Sequence, residues 1–438
     1  MALSYPFSDF KTCRMIFLLL ILSLYFQGTV FADDAADSST MSNVGEGYEL
    51  QYAIPPCFTD NSGISMVYDR QSGDWHYFIS PYFNLHPQND RYLGIGQAYA
   101  DWDKGDFGFS FGRKIITLGP GRYGYPALGP LETGISAEGY DQLGYHFTWG
   151  NLKYQKFYAL VSESSYRALL GQRTTYDLGP FTFGFSETAL ANSQAPAYIY
   201  LPIPFIPVYF YQYLGDHTGG DVNKKINNAV DFDITWQITD NLKFYVEYYM
   251  DDRPWWRWED GHWVTPEWDR WWWKCGYQGG IQWNNAFNNP ALTFYLEYTR
   301  IDDYTYTSWH PGEWMPGLDW TDHDRYMGDS LGPDADRWNL ELVWRQSPEY
   351  QWSFAYQRVR HGEGKIGDHW TYVPGRTVVF LTGTVETTDL LGIGVTRKKG
   401  NYDFNITLGL AYINNADHIE GANKVEPKAA VNIKYYLP

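Results

Sequence analysis

Segment after segment of this chain places apolar side chains at every second position, the spacing that lines them up on one face of an extended strand. Val230, Phe232, Ile234, Trp236 and Ile238 alternate with Asp231, Asp233, Thr235, Gln237 and Thr239. Past the tight turn Thr239-Asp240-Asn241, Leu242, Phe244, Val246, Tyr248 and Met250 alternate with Lys243, Tyr245, Glu247 and Tyr249, which predicts a hairpin. The pattern returns in Leu292 to Tyr298, in Trp338 to Trp344 and in Tyr402 to Tyr412. A chain patterned this way is all-β.

Alternation suits a sandwich as well as a barrel, so strand length and loop asymmetry decide between them. About 18 candidate strands can be placed, near the ~9–11 residues that cross a bilayer at a tilt. They begin near Tyr48, Gly63, Asp74, Arg91, Asp106, Gln142, Asn151, Arg167, Pro180, Asn228, Asn241, Trp273, Ala291, Asp336, Tyr350, Thr382, Tyr402 and Pro427. Connections such as Gln71–Asp74, Trp149–Asn151, Asp177–Pro180, Ser347–Tyr350 and Lys398–Asn401 are short. Thr117–Asp141, Ala191–Asn227, Asp252–Trp272, Ile301–Ala335, His361–Leu381 and Asn415–Glu426 are long. Each long connection follows an odd-numbered strand, so in an up-and-down barrel all of them emerge on one side. Outer-membrane barrels segregate loops in this way, whereas a sandwich has no reason to. The expected fold is a transmembrane up-and-down antiparallel β-barrel over residues 48–438, with an even strand count, long extracellular loops and a lumen or surface insert at Ala191–Asn227.

The composition fits that division. The chain has 38 Tyr, 25 Phe and 20 Trp among 438 residues and a net charge of −18, yet its mean hydropathy is −0.44. In a barrel only alternate strand residues meet lipid, so a hydrophilic average is expected. The charge excludes a basic nucleic-acid binder. The apolar run Met15–Phe26 is too short for a spanning helix. Lys11 and Arg14 precede it, and Val30 and Ala32 follow at the positions of a signal-peptidase site, which predicts a signal peptide over 1–32, export to the cell outer membrane, and a flexible segment over 33–47. Cys57 and Cys275 would then remain, either as thiols or as one bridge.

Several short motifs occur in order. Arg113-Lys114-Ile115-Ile116-Thr117-Leu118-Gly119-Pro120-Gly121-Arg122-Tyr123-Gly124 is a Gly/Pro-dense turn. It is followed by Arg173-Thr174-Thr175-Tyr176 leading to Phe183-Gly184-Phe185-Ser186-Glu187, by Tyr245-Val246-Glu247-Tyr248 with Asp251-Asp252, by Leu296-Glu297-Tyr298-Thr299, and by Gly328-Asp329-Ser330-Leu331-Gly332-Pro333-Asp334-Ala335-Asp336. From about Gly45 onward this ordered set resembles the Wzi-type capsule-assembly proteins of bacterial outer membranes. The resemblance implies a lectin-like barrel that holds or organises surface polysaccharide without catalysis. The chain departs from the pattern in ending on Leu437-Pro438 and in an unusually Trp-rich loop.

That loop, with Trp255, Trp256, Trp258 and Trp263 among Asp, Glu and Arg, is the first candidate site. Sugar rings stack their C–H faces on indole while charged groups bond the hydroxyls. Trp309, Trp314 and Trp320 repeat the composition in the next long loop; Trp271–Trp273, at a strand start, read instead as interfacial or packing residues. A second set of polar residues is expected in the lumen: Glu187, Glu247, Glu297 and Glu341, faced by Arg173, Lys243 and Arg345, either pairing with one another or binding substrate. Parity leaves Arg113 on the outer face unless a bulge intervenes. Asp319, Asp322, Asp324 and Asp329 match no complete calcium loop, and His310, His323, His361 and His369 sit in separate loops. No metal, cofactor or catalytic signature is therefore expected. The expected partners are surface polysaccharide and outer-membrane lipid, and the sequence does not set an oligomeric state. Three functions compete: a non-enzymatic polysaccharide-binding barrel, a porin-like channel, and a secreted glycosidase with paired carboxylates.

Overall fold

The computed structural model describes residues 62–85, 92–131, 137–161, 167–208, 225–251, 257–259, 262–264, 274–308, 318–322, 325–368 and 379–437. The predicted signal peptide, the segment 33–47, the strand expected at Tyr48 and Cys57 lie outside them. The strands are β1 (Gly63–Ser72), β2 (Trp75–Asn84), β3 (Leu93–Lys104), β4 (Phe107–Lys114), β5 (Tyr140–Trp149), β6 (Leu152–Val161) and β7 (Arg167–Leu178). Next come β8 (Phe181–Ala191), β9 (Ile226–Thr239), β10 (Leu242–Asp251), the small pair β11 (Arg257–Glu259) and β12 (His262–Val264), then β13 (Cys275–Asn284) and β14 (Leu292–Ile301). A second small pair, β15 (Thr321–Asp322) and β16 (Arg325–Tyr326), precedes β17 (Ala335–Arg345), β18 (Tyr350–His361), β19 (Glu386–Lys399), β20 (Tyr402–Asn414) and β21 (Lys424–Tyr436).

Leaving aside the two small pairs, the strands form one 17-stranded sheet, each antiparallel to the next. It closes on itself where β1 runs parallel to β21, Gly63 opposite Asn432 and Val67 opposite Tyr436. The barrel expectation holds, with a correction. The described wall has an odd number of strands and closes without a strand at Tyr48, so its seam is parallel. The expected loop asymmetry is present. At one end most connections are two-residue turns, and Gly73, Gly105, Gly150, Gly179 and Gly400 take the left-handed conformation there, with φ between 57° and 63°. All the long connections lie at the other end.

The wall is apolar outside and polar inside. Along β9 Phe232, Ile234, Trp236 and Ile238 are exposed, while Asp231 and Asp233 between them are buried. Leu160, Leu391, Leu408 and Leu410 are likewise more than half exposed. A continuous outer belt of this kind is costly in water and suits a lipid solvent. Near the short turns the same face carries Trp75, Trp102, Trp149, Trp236, Trp283, Trp344 and Trp352, the aromatic girdle expected at a bilayer boundary.

Inside, at the loop end, lies the main hydrophobic core. Leu118, Leu128, Leu318, Trp320, Met327 and Leu331 from two inturned connections pack against Phe157, Leu169, Leu190 and Tyr249 of the wall.

Candidate functional site

The connection after β4 folds into the barrel and is held there by carboxylates of the wall. Leu118 and Leu128 bridge to each other, closing a loop whose tip is Gly119-Pro120-Gly121-Arg122-Tyr123. Glu297 of β14 accepts the backbone N–H groups of Arg122 and Tyr123 at 2.8 and 3.1 Å and the hydroxyl of Tyr245. Glu341 of β17 pairs with the Arg122 guanidinium at 3.0 Å and accepts the Tyr123 hydroxyl. The guanidinium also lies 3.7 Å from the centre of the Tyr295 ring. Burial works against its charge, but Tyr123 and Glu341 outweigh that and raise its pKa above the ordinary value. Burial likewise pushes the Tyr125 hydroxyl up to about 12.

A second connection turns inward beside it, described at residues 302–308, 318–322 and 325–334. Asp251 at the end of β10 accepts the Tyr306 N–H at 2.7 Å and the Trp320 indole N–H at 3.0 Å. Asp329 accepts Tyr125 N–H and the guanidinium of Arg337, which also donates to the Tyr123 carbonyl, so the two connections are bonded to each other as well as to the wall. Asp334 gathers Gly364 N–H, Leu381 N–H, and both the N–H and hydroxyl of Thr382. Thus it ties the β18–β19 connection onto the same assembly.

The structure places the expected site residues as follows. Glu247, Glu297 and Glu341 are buried on the inner face, as expected from parity. Arg173 joins them and pairs with Asp233 at 2.6 Å. Lys243 and Arg345 share the inner parity. Glu187 requires a correction. It pairs in register with Val230, and Phe183 and Phe185 share its parity, so it sits on the outer face. Gly119, Pro120 and Gly121 lie at the tip of the inturned connection between β4 and β5, the plug of residues 115–131. A Cβ on Gly119 would sit 2.1 Å from Glu247 Oε2, where φ is +92°. Arg113 stays on the outer face, in a two-bonded pair with Asp141.

Trp258 and Trp263 are register partners in the β11–β12 hairpin, and nothing of their side chains is described. Trp255, Trp256, Trp309, Trp314 and Trp271–Trp273 lie outside the described residues. Trp320 is not an exposed platform: it is 1% exposed and bonded to Asp251. Cys275 is buried, its Sγ 3.3 Å from the Tyr248 hydroxyl. Among the described residues no group of three or more His, Cys, Asp or Glu is placed to hold a metal ion.

Sequence reasoning singled out the wall glutamates but missed Arg122 and Tyr123 as their partners, and Asp251, Asp334 and Arg337 as further anchors of the inturned connections. The available signal was the Gly/Pro-dense turn Gly119-Pro120-Gly121, too rigid and too small for a helix.

Fold and site together define a β-barrel of the outer-membrane type into whose loop end two of its own connections fold. No family model matches the chain, and no curated protein sequence matches it. Among solved structures it is similar to Wzi of Escherichia coli, with a TM-score of 0.57 at 14% identity over 83% of this chain and 75% of that one. That protein is described as an outer membrane protein involved in group 1 capsule assembly and as a carbohydrate-binding β-barrel. Two Pseudomonas aeruginosa proteins also align: OpdL, at 8% identity with a TM-score of 0.44 over 83% and 88% of the chains, and OccD3, at 10% with 0.43 over 82% and 81%. The likeness to Wzi is one of fold.

Proposed function

We propose that this protein is a non-enzymatic outer-membrane barrel that binds or anchors extracellular polysaccharide at its loop end and assists capsule assembly. The observation that carries the reading is the plug. Glu297, Glu341 and Arg337, inward-facing groups of the wall, are occupied, together with Asp329 of the second connection, by residues 122–125 of the chain itself. A porin uses such groups to face water and solute; here they hold a closure. The connection between β10 and β13 leaves from the same end and carries Trp255, Trp256, Trp258 and Trp263, residues whose indole type suits stacking on sugar rings. The carbohydrate binding ascribed to Wzi, whose fold is similar, supports the same reading.

Replacing Trp255, Trp256 and Trp258 together with Ala should lower binding of surface polysaccharide to the detergent-purified barrel, while heat-modifiable migration in gels stays as in the parent. Unchanged binding would remove these residues from the site.

A further inference from the structure

Residues 195–208 read Ala-Pro-Ala-Tyr-Ile-Tyr-Leu-Pro-Ile-Pro-Phe-Ile-Pro-Val, with no charge and no side-chain amide. The structure lays this segment against the outside of the barrel. Lys156, Gln172 and Glu187 are successive register partners across β6, β7 and β8, and they share the outer face with Leu143, Leu160 and Phe183. Polar groups there have no reason to face lipid unless something else uses them.

The segment uses them. Lys156 Nζ donates to the Ile203 carbonyl at 3.0 Å, and Glu187 accepts the Val208 N–H at 2.9 Å and the Gln172 amide at 2.8 Å. Tyr158 and Tyr145 donate to the carbonyls of Leu201 and Pro202, and Phe205 N–H donates to the Tyr154 hydroxyl. Irregular backbone survives in a bilayer only where its polar groups find partners in the protein. Prolines at 196, 202, 204 and 207 remove four further N–H groups that would need one. The segment also spans depth. Ile199 packs near the loop end on Ala189, Ala191 and Ile226, whereas Phe205 packs on Phe147 and Tyr154 beside the short turns, at 5.6 and 4.6 Å between ring centres.

We propose that residues 195–208 are a bilayer-immersed strap docked on the barrel's exterior, with Tyr200, Leu201, Ile203 and Phe205 turned to lipid acyl chains. These four side chains are 38–48% exposed and continue the apolar belt of Leu160, 71% exposed, and Leu143, 58% exposed. That continuity, together with the complete lack of charge, selects acyl chains rather than water. The proposal rests on the reading that the barrel spans a membrane, and its test separates the two.

In the full chain, with other cysteines replaced by Ala, single variants Ile203→Cys and Phe205→Cys are nitroxide-labelled and reconstituted in phosphatidylcholine vesicles. Leu160→Cys serves as the strand control and Asp417→Cys as the loop control. Collision with oxygen and exclusion of a water-soluble nickel chelate, as at Leu160→Cys, is the expected result for both strap sites. Chelate access like that at Asp417→Cys would overturn the strap alone. Exclusion of both reagents would also overturn it, since protein and not lipid would then cover the surface. Chelate access at Leu160→Cys itself would overturn the membrane reading beneath it. Heat-modifiable migration of each labelled variant shows that the barrel has folded.

Discussion

Glu297 draws two backbone N–H groups and a tyrosine hydroxyl onto one buried carboxylate, and Gly119 shows how little room the arrangement leaves. Gly119→Ala adds a methyl group where 2.1 Å separates the Cβ position from Glu247, in a left-handed conformation that side chains avoid. Overpacking of this kind costs roughly 1–3 kcal/mol, and strained backbone adds to it. The variant should release the plug before the wall fails. Proteolysis within residues 115–131 is expected at a temperature where the heat-modifiable barrel band is intact, and simultaneous loss of both would show that plug and wall are one cooperative unit. Parity read from the sequence located Glu247, Glu297 and Glu341 because apolar neighbours flank each one. Glu187 departs from the expected lumen side: it has the parity of Phe183 and Phe185, and its polarity on the outer face makes sense only with Val208 N–H and the Gln172 amide donating to it. Those donors come from tertiary contacts that local pattern does not encode.

Strand starts were legible to within a few residues for the whole wall, and the exceptions have causes. β19 begins at Glu386 and not near Thr382, because Thr382 spends its N–H and hydroxyl on Asp334. β21 extends back from Pro427 to Lys424. Among the described residues β1 meets β21 only from Asn432 onward, so the one described neighbour of Pro427 is β20, and a proline there interrupts no described ladder on its other side. The inturned connection after β14 carries a pH dependence of its own. Burial raises Asp302 to about 6 despite Arg300, and burial with nearby Asp334 raises Asp303 to about 6. Both lie above the ordinary carboxylate value of 3.8, so the folded connection favours their neutral forms. Their stabilising contribution is fully present below about pH 4 and is lost as pH rises through 6. Hydrogen exchange of backbone amides 302–308, corrected for intrinsic rate, should show greater protection at pH 5 than at pH 8. Equal protection would mean that both carboxyls are solvated in the folded state.

At the scale of the whole barrel, the plug predicts electrical behaviour. The parent protein in a planar bilayer should show little steady conductance, and deletion of residues 115–131 should raise it, provided the deleted form still migrates as a heat-modifiable barrel. A large steady conductance in the parent would favour the channel reading over the polysaccharide-binding one. The parallel seam governs how such a wall can be made. Every other neighbouring pair of wall strands is joined by one connection, but Ser62 and Val431, bonded across the seam, stand 369 residues apart. Among the described residues five register pairs hold β1 to β21, against thirteen between β19 and β20, and parallel bonds are the weaker kind. A contact this distant in sequence forms late. Until the last strand arrives, β1 presents an open edge able to accept any extended chain, and docking of Asn432–Tyr436 is the step that removes it.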